Sequence, residues 1–369
     1  MVLEVVTLAF SVGYAWLVFW FMRGWKLLHQ HQPLASPHWG KSVGVSLVIP
    51  FRNERQNLPR LVEAIERLNL SGLTLEVFWI DDQSEDDGYA WLSKQTNRHP
   101  NWKLLQTSSD ATGKKAALTL GIHSSSHEWI ACTDADCLFG SDWLQTMVAT
   151  AYLNQSDLVS GPVKLTGSHW FQRLQSLEFM SLNAIGGACL ALKQPVIANG
   201  ANLMYRKSCW IATGGFEAHK HRASGDDDLL LHQLNEAGFS LSFCLNRKAL
   251  VETEACKNFS AFMHQRLRWI SKSGSYKRKD ITAILAMVWL YLAGVFALML
   301  QGKWELAFSM WFIKWVADSV FLWAPSAFYQ LNQDWKWLPI VQLFYLPYVL
   351  IAGLAGNFIS FQWKGRKLQ

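Results

Sequence analysis

The two ends of this chain leave little choice of environment. Val2–Met22 is almost entirely apolar, with Glu4 its only charge, and Ile281–Leu300 carries no charge at all. A helix needs about 20 apolar residues to cross a bilayer, and both runs meet that length. Arg23 and Lys26 follow the first run. A secretory leader carries its positive charge before the apolar core and a small-residue cleavage site after it. Here the charge comes after, so residues 1–23 read as an N-terminal transmembrane anchor. The positive-inside rule then puts the next domain on the cytoplasmic side, as in an integral protein of a bacterial inner membrane. Two further runs, Leu306–Leu322 and Leu338–Ile359, complete a C-terminal membrane region of two or three spans over 281–361. Lys314 and Asp318 lie inside the first of these, four apart, where they can pair on one helical face. Charges at that depth face protein rather than lipid. If all three C-terminal runs cross, the basic tail (Lys364, Arg366, Lys367) ends outside; if one is re-entrant, it ends inside. The 20 tryptophans fit the aromatic belts of membrane interfaces.

Between these ends the pattern changes. Residues 24–42, with Pro33 and Pro37, read as a linker. From 43 to 276 short apolar runs alternate with amphipathic ones. Strands are expected at Val45–Ile49 (ended by Pro50), Leu75–Ile80, Trp102–Gln106, Trp129–Thr133 and Leu158–Ser160. Helices are expected at Asn57–Asn69, Gly113–His123 and Trp143–Leu153, the first with Leu58, Leu61, Val62, Ile65 and Leu68 on one face. Ser84 can cap the helix that follows the second strand. Such alternation predicts an α/β domain with a mainly parallel sheet covered on both faces. Its ligands bind beyond the carboxyl ends of the strands. His169–Leu192 is amphipathic up to a Gly186-Gly187 break and suits either an interfacial or a core helix. His219–Arg222 reads as a solvated loop in preference to a mobile basic gate. Phe259–Ser271 is a helix followed by a basic patch, Lys272–Lys279.

The formal charge of +6 suits anionic lipid or phosphate ligands. No basic stripe interleaved with aromatics calls for nucleic acid. The six cysteines form no Cys-x-x-Cys pair, and no His stands at zinc-ligand spacing, which fits reduced thiols in a cytosolic domain.

The strand at 129–133 runs into Asp134-Ala135-Asp136. Side chains alternate along a strand, so both carboxylates point the same way. They repel unless a cation lies between them, and hard oxygen ligands suit Mg²⁺ or Mn²⁺ shared with substrate phosphates. Alone, Asp-x-Asp is more often a solvated turn. Its weight comes from company. Asp81-Asp82 ends another strand, and Ser224-Gly225-Asp226-Asp227-Asp228-Leu229 opens a helix with more acids than capping requires.

In order, the chain carries Val48-Ile49-Pro50-Phe51-Arg52-Asn53-Glu54, Asp81-Asp82, Gly113-Lys114, Asp134-Ala135-Asp136, Gly200-Ala201-Asn202, Asp226-Asp227-Asp228 and Gln265-Arg266-Leu267-Arg268-Trp269. This closely resembles the family 2 glycosyltransferases of GT-A fold over about Val45 to Tyr276. The last motif matches the Gln-x-x-Arg-Trp of membrane-embedded members such as cellulose, chitin and hyaluronan synthases and ceramide glucosyltransferase. The resemblance implies roles. Asp81, Asp82, Glu54 and the backbone near Pro50–Asn53 would line the nucleotide pocket. Lys114 would reach the diphosphate or position the base. Asp134 would lie at the nucleotide and Asp136 would hold the divalent metal. Asp227 matches the catalytic base, second acid of a pair with Asp226, and Asp228 leaves that register open by one residue. Gln265, Arg268 and Trp269 would line the acceptor entrance and steady the leaving diphosphate.

The chemistry is coherent without the name. Sugar transfer from a nucleotide diphosphate needs a cation for the departing charge, a base for the acceptor hydroxyl and benefits from an Arg at the phosphates. The expected partners are a nucleotide-sugar donor, a lipid or growing-glycan acceptor and membrane lipid. A processive polysaccharide synthase is the alternative, but a polymer channel needs more helices than the apolar runs of one chain supply, which favours the lipid acceptor unless the protein oligomerises. A non-catalytic scaffold predicts lost acids, and all are present. A dinucleotide-binding dehydrogenase needs Gly-x-Gly-x-x-Gly after the first strand, where Pro50-Phe51-Arg52-Asn53 stands.

Overall fold

A computed structural model describes residues 2–30, 42–220, 222, 224–271, 278–355, 361–363 and 366–368. Most of the expected linker, the basic segment 272–277 and parts of the 219–222 loop and the tail lie outside the described residues. The chain divides into two compact units, one of Leu27–Thr166 with Cys189–Glu254, the other of Met1–Lys26, Gly167–Ala188 and Ala255–Gln369.

The first unit is built on strands β1 (Val43–Phe51), β2 (Leu73–Asp81), β3 (Trp102–Gln106), β4 (Trp129–Cys132), β5 (Cys137–Phe139), β6 (Leu158–Ser160), β7 (Val163–Thr166), β8 (Leu203–Arg206), β9 (Leu241–Phe243) and β10 (Val251–Glu254). Seven of them form one sheet in the order β3-β2-β1-β4-β8-β6-β9. β1 runs parallel to β2 and to β4, β2 parallel to β3, and β6 parallel to β9; only β8 is antiparallel to its neighbours. Val45, Leu47, Val48 and Ile49 of β1 and Val77 to Ile80 of β2 are wholly buried, so residues on both faces of these strands are covered. The helices of this unit are α2 (Leu58–Glu66), α3 (Gly88–Thr96), α4 (Lys114–Ser124), α5 (Trp143–Leu153), α7 (Lys207–Ala212) and α8 (Asp228–Glu236). α2 buries the predicted Leu58, Leu61, Val62 and Ile65. α4 lies so close to the sheet that a Cβ at Gly121 would come within 2.5 Å of Val48.

β1 continues through Pro50, past the expected end at Ile49. Its pairing with β4 stops at Val48, while Pro50 still faces Ile80 of β2. Pro50 thus lies where the strand has one neighbour, a position that tolerates a missing N–H. Ser84 is not a helix cap. α3 begins at Gly88 after Asp87, and the Ser84 hydroxyl accepts from the Asn53 N–H at 3.0 Å instead. A second sheet was not foreseen: β10 pairs antiparallel with β5 and parallel with β7.

The second unit contains α1 (Val2–Gln30, whose last residues count with the first unit), α6 (Trp170–Ala191, with its last turn likewise), α9 (Phe259–Ser271), α10 (Lys279–Leu300), α11 (Trp304–Phe328) and α12 (Leu338–Ala355). Residues 24–30 are therefore helical, a correction to the linker boundary. α6 runs through Gly186-Gly187 without the expected break. Among the described residues, Leu3–Gln30, Lys279–Leu300 and Trp304–Phe328 are long and apolar enough to cross a membrane. Lys314 and Asp318 pair as expected, Nζ to Oδ2 at 2.5 Å. Gln342 bridges both, accepting from Lys314 at 2.8 Å and donating to Asp318 at 2.8 Å. The Tyr14 hydroxyl donates to Asp318 Oδ1 at 2.7 Å, so α1, α11 and α12 share one polar seam. The chain closes in an antiparallel pair, β11 (Phe361–Trp363) and β12 (Arg366–Leu368).

Candidate active site

Strand order turns back at β1: β2 and β3 lie to one side of it and β4 to the other, which opens a crevice at their carboxyl ends. Two acidic segments, far apart in the chain, meet there on Lys114. Its Nζ lies 2.8 Å from Asp134 Oδ1 and 2.9 Å from Asp226 Oδ2. Burial opposes the charged form of this lysine, but the two carboxylates outweigh it and hold the ammonium well above the usual lysine range. Lys114 opens α4, and Gly113 before it has φ 100°, a conformation suited to glycine. The Gly113 N–H donates to Asp82 Oδ1 at 2.7 Å, which joins the end of β2 to the same cluster. A Cβ at Gly200 would meet Asp226 Oδ2 at 2.9 Å and Lys114 Nζ at 3.2 Å. The absent side chain lets backbone run beside the ion cluster, and the Gly200 N–H faces Asp227 Oδ2 at 3.4 Å.

The three acids at the head of α8 differ sharply. Asp226 is buried on Lys114. Asp228 is buried and accepts from the Ala198 N–H at 2.8 Å. Asp227 caps the helix, accepting from the Asp228 N–H at 2.7 Å, and is the half-exposed member of the three.

Asp81 and Asp82 are buried at the end of β2. Asp81 accepts from the Ser84 N–H at 3.1 Å and the Gln106 amide at 2.7 Å. Their loop is knitted to that after β1. Arg52 donates to the carbonyls of Asp82 (2.9 Å) and Gln83 and pairs with Glu85 at 2.6 Å. Asn53, at φ 53°, accepts from the Glu85 N–H at 2.8 Å. Glu54 is buried and accepts from the Asn57 amide at 2.6 Å. The span from Pro50 to Glu54 thus abuts Asp82. Arg52 stood within the sequence motif with no role attached; it is 5% exposed and anchors the neighbouring loop.

Asp134, Asp136 and Cys137 bring ligand atoms within 4.8 Å of one another. The turn after β4 does this, since the strand itself ends at Cys132. Burial pushes the Cys137 thiol well up, and the charges of Asp136 and Asp134 push it further, so it stays protonated. The carboxylates are the effective donors, and an oxygen pair suits a hard divalent cation such as Mg²⁺ or Mn²⁺.

The model of the family described as Glycosyl transferase family 2 matches residues 46–210, from β1 to α7. Residues 46–210 thus form a domain of the family 2 glycosyltransferases. Among curated relatives, it is 27% identical to the glycosyltransferase AglE of Haloferax volcanii over 202 residues, 54% of this chain and 64% of that protein. It is 26% identical to the beta-monoglucosyldiacylglycerol synthase of Trichormus variabilis over 251 residues, 63% of this chain and 49% of that one. The chain therefore spans less than two thirds of the length of these relatives. The solved mannosyltransferase PcManGT from Pyrobaculum calidifontis, in complex with GDP-Man and Mn²⁺, matches with a TM-score of 0.61 at 18% identity. That match covers 96% of this chain and 99% of that structure, and it shows a shared fold, GT-A.

The residues of the final motif lie beyond the matched segment, in the other unit, on α9. Gln265, Arg268 and Trp269 share a helix face by spacing. The arginine that stacks on Trp269 is Arg266, at 4.2 Å from the ring centroid, and it is buried. Neither Arg266 nor its partner Glu178 was legible as a site residue, because the pair spans 88 positions.

Proposed function

We propose that this family 2 glycosyltransferase moves one sugar from a nucleotide-diphosphate donor to a lipid hydroxyl at the cytoplasmic face of a membrane. The observation that carries the proposal is the convergence of Asp82, Lys114, Asp134, Asp136, Asp226 and Asp227 at the carboxyl ends of β2 and β4. The loops from Pro50 to Glu54 and from Asp81 to Glu85 form the wall for base and ribose. Lys114 supplies positive charge for the diphosphate. A divalent cation held by Asp136 with Asp134 would neutralise charge on the departing diphosphate. Asp227 takes the proton of the acceptor hydroxyl; of the three adjacent acids it is the half-exposed one, and Asp226 and Asp228 have buried protein partners. The acceptor oxygen bonds to the anomeric carbon as the bond to diphosphate breaks, and one direct displacement inverts that centre. The family resemblance gives Gln265, Arg268 and Trp269 the acceptor-side role. A lipid acceptor is supported by the membrane-spanning helices and by the glycolipid product in the name of the Trichormus relative. A UDP-sugar is the first donor to test.

The experiment is nucleotide release by purified protein in native lipid extract, across a panel of sugar nucleotides with Mn²⁺ or Mg²⁺. Lipid-dependent release from one donor, lost in Asp136→Ala and Asp227→Ala, is the expected result. A discrete labelled glycolipid separates this reading from a polymer synthase. No release with any donor, with no metal-dependent nucleotide binding, refutes the proposal.

A further inference from the structure

The Gln265-x-x-Arg268-Trp269 helix is assembled around a residue that its motif leaves unspecified. Arg266 is 1% exposed. Its guanidinium is gripped by Glu178 of α6, Nε to Oε1 at 3.2 Å and Nη2 to Oε2. Two faces of the same group then reach the motif. Nη1 donates to Gln265 Oε1 at 2.5 Å. The plane lies over Trp269 at 4.2 Å and over Phe262 at 4.6 Å from the ring centroids. Trp269 is held on another side by Phe179, next to Glu178 in the chain, at 5.5 Å.

A guanidinium has five donors in a rigid plane and no acceptor. With two of them on a carboxylate its orientation is fixed. In a buried site that fixed plane dictates what touches it. The carbonyl oxygen of Gln265 must turn towards Arg266, so the amide N–H₂ becomes the group this residue offers elsewhere. The indole of Trp269 must lie flat on the cation, since the ring face is the attractive one. The arrangement costs the desolvation of two charges, which hydrophobic residues would avoid. Packing alone does not account for it.

We infer that Arg266, oriented by Glu178, is the positioning residue of the acceptor-side motif: it sets the hydrogen-bonding polarity of Gln265 and the ring plane of Trp269. This rests on the proposed transferase reading, in which those two side chains have the acceptor-side role. Arg266 itself touches no substrate.

The test uses full-length protein in lipid, with Arg266→Met, the milder Arg266→Lys and Glu178→Gln. Arg266→Met is expected to raise the acceptor KM or lower kcat by about tenfold to a hundredfold, as misplacement at a distance from the reacting atoms does. Mn²⁺-dependent donor binding should not change. Added to Gln265→Ala/Trp269→Ala, Arg266→Met should cost less than about twofold more, because residues acting through one another are not additive. Arg266→Lys keeps the charge but not the plane and should fall between. Full additivity, or unchanged transfer by a folded Arg266→Met, overturns the inference. Hydrogen exchange across 265–269 supplies a readout independent of turnover. Faster exchange in Arg266→Met and Glu178→Gln supports the positioning role, and unchanged exchange in folded variants refutes it. Absence of transfer by the wild type with every donor would count against the transferase reading alone.

Discussion

Replacing Lys114 by methionine isolates the electrostatics of the crevice. Its Nζ stands 2.8 Å from Asp134 and 2.9 Å from Asp226. At an effective dielectric constant of about 20, each contact has a gross Coulomb energy of about 6 kcal/mol. Desolvation cancels much of that, and removing one partner of a buried pair leaves a net cost of about 3–5 kcal/mol. The side chain of Asp134 is 36% exposed, so water screens part of its share. The low end, about 3 kcal/mol, is the appropriate figure. For a unit of this size that corresponds to a fall in Tm of about 6–12 °C. Methionine keeps most of the apolar stem, so lost packing contributes little. The assay is thermal unfolding of solubilised protein followed by circular dichroism. The decisive companion is Lys114→Met with Asp226→Asn, which removes the stranded buried charge and should recover most of the loss. A single variant as stable as the wild type, or a double variant no better than the single, refutes the electrostatic account.

Three other outcomes follow from side chains already described or from the core of the first unit. The folded state binds the Lys114 proton more tightly than the unfolded chain, whose lysines titrate at about 10.4. That stabilisation is complete below this value and is lost as pH rises through the higher folded value, so the wild type should lose Tm above pH ~10 more steeply than Lys114→Met. Glu76 is buried, which raises its pKa, but hydrogen bonds from Ser46 (2.6 Å) and from the backbone and hydroxyl of Ser126 (2.6 and 2.9 Å) outweigh this and hold it below the usual range. Its stabilisation is present above the unfolded value of about 4.3 and lost as pH falls through the folded one; Glu76→Gln should lower neutral stability by about 1–3 kcal/mol in urea unfolding and flatten the acid limb. Asn202 is wholly buried, donates to Pro162 O (2.9 Å) and Ala249 O (2.8 Å) and accepts from the Trp143 indole (2.9 Å); Asn202→Ala should cost about 1–3 kcal/mol for each group left unpaired, read as a lower urea midpoint.

What was legible in the sequence follows from physics that acts locally. β1, β2 and β4 are largely buried on both faces, so each reads as a mainly apolar run, and the acids that follow or end β2 and β4 mark the crevice. Trp102–Gln106 and Trp143–Leu153 match their expected bounds. β5, β7 and β10 are three or four residues long, too short for alternation to mark a strand. The glycines at 186 and 187 lower helix propensity by about 1 kcal/mol each, yet Ala184, Ala188 and Cys189 around them are wholly buried, and that burial holds the helix together. The register of the α8 acids stayed open because three adjacent aspartates are alike in sequence; only Lys114 and the Ala198 N–H tell them apart. Arg266 and Glu178 make a pair that no spacing rule reaches.

The hydrogen bond from Tyr14 to Asp318 joins positions 304 apart, and Gln342 is the last side chain to reach the same carboxylate. A ribosome delivers α1 before α11, and α11 before α12. When α11 enters the bilayer, Lys314 and Asp318 can neutralise each other at once, since they are one turn apart on the same helix. The amide that completes their bonding is still unmade. The seam therefore cannot close until α12 has been made, and a nascent chain stopped before α12 differs from one that contains it by an open polar seam in the lipid.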